Sequence, residues 1–65
     1  MENMKIAITG AGGFVARELA RFFSARHQVL ALTRRSLDIS DHHAVRRMIT
    51  DIRPDLIINR EPKKL

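Results

Sequence analysis

Thr9-Gly10-Ala11-Gly12-Gly13-Phe14-Val15-Ala16 stands between the apolar run Met4-Lys5-Ile6-Ala7-Ile8 and an amphipathic stretch from Val15 to Ala25. A buried strand that turns on glycines into a helix leaves few choices of fold. The chain must leave the strand sharply and pack the helix back against it. The first amides of that helix have no intrahelical acceptor. Gly10 permits the tight turn, and Gly13 removes a Cβ from the approach to those amides. Ala16 is small enough for helix and strand to touch. Aligned N–H groups at a helix start favour an anion, and this strand–turn–helix unit is suited to a dinucleotide pyrophosphate. Gly10, Gly12, Gly13, Phe14 and Val15 are therefore expected to contact such a ligand.

The rest of the chain repeats the same alternation of elements. In the first strand, Lys5 to Thr9, apolar residues run on instead of alternating, which predicts burial on both faces in a parallel sheet. Phe14 to Arg26 reads as a helix, with Val15, Leu19, Phe22 and Phe23 forming one stripe. His27 is a turn residue before a second strand, Gln28 to Thr33. Arg34 to Ile39 is a connection, Ser40 is the expected N-cap, and Asp41 suits the first turn. The second helix carries Val45, Met48, Ile49 and Ile52 on one side and ends at Arg53, because Pro54 disfavours helical geometry there. Leu56-Ile57-Ile58 is a third strand. The class is α/β, and β-α-β-α-β is one half of a doubly wound Rossmann domain with a parallel sheet.

With the strand order common in dinucleotide folds, right-handed crossovers put both helices on one face. Met4 to Ile8 would then be an apolar edge awaiting a fourth strand. Self-association through that edge, or through the bare face, is the expected consequence. Residues 1–59 form the expected unit, with 60–65 as a basic tail.

Composition narrows the partners. A domain of 65 residues buries only about 60% of its unfolded surface and is marginally stable. It has no cysteine, so neither a disulfide nor a thiolate metal site is expected. That fits a reducing cytoplasm, as does the polar N-terminus without a signal-peptide core. No apolar run is long enough for a membrane span. Lysine and arginine number 12 against 7 acids, a net charge of +5. The charge is scattered except at Arg60 to Lys64, and there is no tyrosine or tryptophan for base stacking, so nucleic acid is not the expected partner. His42 and His43, as helix neighbours, point about 100° apart and cannot share one ion.

The end of the second strand bears on cofactor choice. A carboxylate there would suit a ribose 2′-hydroxyl, as in NAD. The chain instead has Thr33, Arg34 and Arg35. A guanidinium suits a 2′-phosphate, so NADP (as NADPH) is expected over NAD. Asp38 and Ile39 admit two readings: an adenine contact, with Ile39 against the ring, or an Asx turn leading into the helix.

At this point the chain resembles the N-terminal part of extended short-chain dehydrogenase/reductases. Ile8-Thr9-Gly10-Ala11-Gly12-Gly13 is similar to their opening glycine motif. Leu37-Asp38-Ile39-Ser40-Asp41, Ala44-Val45-Arg46-Arg47 and Arg53-Pro54-Asp55-Leu56-Ile57-Ile58-Asn59 resemble the nucleotide-sugar reductases and epimerases, dTDP-4-dehydrorhamnose reductases most of all. The resemblance covers about residues 4 to 59. It implies hydride transfer from NAD(P)H to a nucleotide-linked keto sugar. It also implies that Gly10, Gly13, Phe14 and Val15 line the pyrophosphate, that Thr33 and Arg34 meet the adenosine ribose, and that Asp38 and Ile39 meet adenine. The third glycine of the motif is Ala16 here. After Asn59 the family continues with small residues close under the cofactor, whereas this chain has Arg60-Glu61-Pro62-Lys63-Lys64-Leu65. The family's catalytic tyrosine–lysine pair has no counterpart, so a cofactor-binding fragment without turnover is expected. The alternatives are a stand-alone dinucleotide- or partner-binding module, an epimerase or dehydratase fragment, or a polyanion binder using Arg60 to Lys64.

Overall fold

Ile6, Ala7, Ile8 and Thr9 are each 0 % exposed. A strand loses all contact with water only when both its edges are paired and both its faces are covered. The computed structural model, which describes residues 3–61, shows how this is achieved. Strand β1 (Lys5–Thr9) lies between β2 (Gln28–Leu32) and β3 (Leu56–Asn59), and all three are parallel. Ile6 sits opposite Val29 on one side and Leu56 on the other; Thr9 sits opposite Leu32 and Asn59. Helices α1 (Phe14–Ser24) and α2 (His42–Ile52) complete the expected β-α-β-α-β order.

The strand order β2-β1-β3 corrects two expectations. Strand β1 is the centre of the sheet and not an edge, so self-association through Met4 to Ile8 has no structural basis. The helices also do not share a face. Ile6 and Ile8 point to one side, where they pack with Ala16, Leu19, Ala20 and Phe23 of α1. Ala7 points to the other, where it packs with Ala44, Val45, Met48 and Ile52 of α2. The reason is chirality. The step from β1 to β2 and the step from β2 back across β1 to β3 run in opposite directions. A right-handed crossover must therefore change faces between them.

The connections are built from local polar bonds. The Thr33 carbonyl accepts from the amides of Ser36 (3.0 Å) and Leu37 (2.8 Å), closing a tight turn after β2. Leu37 and Ile39 then drop into the α2-side core at 4 % and 1 % exposure. The N-cap of α2 is Asp41, not Ser40: its Oδ1 accepts from the amides of His43 (3.1 Å) and Ala44 (3.2 Å). The Ser40 hydroxyl is engaged elsewhere, donating to Asp38 Oδ1 at 2.6 Å. Helix α2 stops at Arg53, which takes a left-handed conformation (φ 52°) before Pro54. Lys5 Nζ donates to the Ile52 carbonyl (2.9 Å), satisfying a C-terminal acceptor of α2 from β1. Among the described residues, no helix is long and apolar enough to cross a membrane. Residues 62–65 of the expected basic tail lie outside the described residues.

Candidate functional site

The reversal of direction at β1 places a crevice at the carboxyl ends of β1 and β3. In open α/β sheets this is where ligands bind. The glycine turn leaves β1 at this point. Gly10 has φ +66°, a backbone conformation that favours glycine. The turn is pinned on both sides, since Ala11 N–H donates to the Leu32 carbonyl (3.1 Å) and Arg60 N–H to the Thr9 carbonyl (3.0 Å). Thr9 Oγ1 donates to Asn59 Oδ1 (2.7 Å), which also accepts from Glu61 N–H (3.1 Å). One carboxamide oxygen thus ties the end of β1 to the chain beyond β3.

Beyond the turn, Gly13 is the N-cap of α1 in an extended conformation, with no side-chain cap. The intrahelical ladder opens with Arg17 N–H to the Gly13 carbonyl (3.2 Å). The amides of Phe14, Val15 and Ala16 precede that ladder, at the positive end of the helix dipole. A Cβ placed on Gly12 or Gly13 would meet nothing within 4 Å, so open space lies over this part of the loop. Ala16 is 2 % exposed against Ile6 and Ile8, the close helix–strand packing expected of it.

Gly10, Gly12, Gly13, Arg34, Arg60 and Glu61 line one open depression over the loop. Gly10, Gly13, Phe14, Val15, Ala16 and Arg60 line the adjoining one. The structure therefore gathers the glycines, Phe14, Val15 and Arg34. Thr33, Arg35, Asp38 and Ile39 lie outside both linings. Thr33 is part of its own turn and Arg35 is exposed. Asp38 Oδ1 accepts from the Ser40 amide (3.0 Å) and hydroxyl, an Asx turn, and the Ile39 side chain is core. Arg60 and Glu61 are the residues that sequence reasoning assigned to a tail. Their position directly after a strand that pairs with β1 would have revealed them, had the strand order been known.

Two cationic side chains, unladdered helix amides and room above two glycines fit an anionic diphosphate. Glu61 is the exception. Its Oε1 is buried and has no hydrogen-bond partner. Among the described residues, no group of three His, Asp or Glu side chains comes together to hold a metal ion.

A family described as RmlD substrate binding domain matches residues 4–61. The chain belongs to that family. It is 50 % identical over 56 residues to a dTDP-4-dehydrorhamnose reductase of Mycolicibacterium smegmatis, covering 85 % of this chain and 16 % of that protein. It is 39 % identical over 56 residues to a dTDP-4-dehydrorhamnose reductase of Burkholderia thailandensis, covering 86 % of this chain and 19 % of that protein. It is 38 % identical over 56 residues to the spore coat polysaccharide biosynthesis protein SpsK of Bacillus subtilis, covering 85 % and 20 %. The chain thus spans a fifth or less of the length of these relatives. No solved structure matches it.

Proposed function

We propose that residues 4–61 are a dinucleotide-binding unit of the dTDP-4-dehydrorhamnose reductase type, and that NADP is bound in preference to NAD. The observation that carries this reading is the glycine turn at the switch point of the sheet, opening into an uncapped helix start and flanked by Arg34 and Arg60. In this reading the amides at the start of α1 receive the pyrophosphate. Arg34, which follows β2 and reaches the loop, receives the 2′-phosphate of the adenosine ribose. The bound nicotinamide cofactor supplies hydride to a keto sugar carried on a nucleotide. These 65 residues hold the cofactor and donate no proton to the sugar.

Titration of the full chain with NADPH and NADH, followed by amide NMR shifts, tests the assignment. NADPH should bind more tightly. Arg34→Ala should lose about 1 kcal/mol of that preference, roughly fivefold, because an exposed guanidinium gains little from one anion. Equal affinity for both cofactors in the parent overturns the choice of NADP. Substrate-dependent NADPH oxidation that follows the chain through purification overturns the view that it binds without turnover.

A further inference from the structure

Glu61 lies directly against Gly10 at the mouth of the glycine turn. A Cβ on Gly10 would lie 2.5 Å from Glu61 Cγ, 2.9 Å from its amide nitrogen and 3.0 Å from the Arg60 carbonyl carbon. The glutamate's methylene therefore rests directly on the glycine turn, and its side chain lines the depression with Arg34 and Arg60. The carboxylate oxygen Oε1 has no solvent contact and no hydrogen-bond partner. Such an orphaned acceptor is costly to the folded state and calls for an explanation. The backbone here is firmly placed, with Arg60 N–H on Thr9 O and Glu61 N–H on Asn59 Oδ1, so the side chain has little freedom to leave by moving the strand.

We infer that Glu61 is a built-in obstruction of the dinucleotide crevice, its carboxylate occupying space and carrying charge that an incoming pyrophosphate must displace. The inference rests on the dinucleotide reading of the glycine loop. Two anionic groups held side by side repel each other, the more so where the ligand displaces water from between them. Arg34 and Arg60, which line the same depression, attract the same ligand, so affinity is set by the contest between them and Glu61. The obstruction acts at the pyrophosphate, which NADPH and NADH share. It lowers both affinities by the same factor and leaves their ratio alone, whereas Arg34 governs the ratio.

The test compares the parent chain with Glu61→Ala and Glu61→Gln. Far-UV circular dichroism checks folding, and NADPH, NADH and inorganic pyrophosphate are titrated against the Gly10, Gly12 and Gly13 amide signals. Glu61→Ala should tighten both dinucleotides by about tenfold or more. Glu61→Gln, which removes the charge and keeps the bulk and the fold, should give a smaller gain, and neither variant should change the NADPH-to-NADH ratio. Unchanged or weakened binding in both variants, with the parent itself binding, overturns the role of Glu61 and leaves the cofactor reading standing. Folded variants and parent that all fail to bind any of the three probes overturn both.

Discussion

Gly10 and Gly13 belong to one loop, yet different forces hold them there. Gly10 is fixed by the fold: its φ is +66°, and backbone atoms of residues 60 and 61 leave no room for a methyl group. Gly10→Ala should destabilise the chain by about 2 kcal/mol or more, since the left-handed conformation and a clash with backbone both oppose it. Gly13 has φ −90° and open space around it. Gly13→Ala should change stability by less than about 0.5 kcal/mol while weakening dinucleotide binding. Urea unfolding followed by circular dichroism, beside a cofactor titration, separates the two. Equal loss of stability in both variants would contradict this division. The need for glycine at position 10 was legible from its place at the end of an apolar run. Its contact with Glu61 was not, because no local pattern reports a neighbour so distant in the chain.

Among the elements, α2 is the one with a built start. Asp41 accepts two helix amides, whereas Ser40 spends its hydroxyl on Asp38. Asp41→Ala should therefore cost about 1 kcal/mol, and Ser40→Ala distinctly less. The urea midpoint checks this, and a larger effect at Ser40 would return the cap to that residue. Ser40 and Asp41 are both good caps by residue type, so sequence alone favoured the one nearer the connection. The strands and helices themselves were legible from apolar runs, helical stripes, the glycine turn and Pro54. Their arrangement was not. A continuous apolar strand signals burial on both faces but does not name its neighbours, and the orders with β1 central or terminal share that pattern. The clue lay in the connection after β2. Leu37 and Ile39 are apolar in a stretch that otherwise reads as exposed, and they need a second face to fill.

For the molecule as a whole, placing β1 at the centre moves the edges to β2 and β3. Neither Gln28–Leu32 nor Leu56–Asn59 contains a charged residue, and among the described residues neither has a partner on its outer side. Uncharged open edges favour pairing between copies. We expect the weight-average mass in sedimentation to rise with concentration. Ala31→Lys, at an exposed position of β2, should reduce that rise. A parent that stays monomeric throughout would contradict it. The side-chain bonds that tie β1 to β3 at its two ends have a further consequence. Thr9 to Asn59 and Lys5 to Asp55 each join residues 50 apart. Closing so long a loop carries a length-dependent entropy cost of about 3.5 kcal/mol before any contact offsets it. The loop after β1 thus acquires its far wall only when β3 docks. During synthesis the wall formed by Arg60 and Glu61 is absent until residue 61 has emerged.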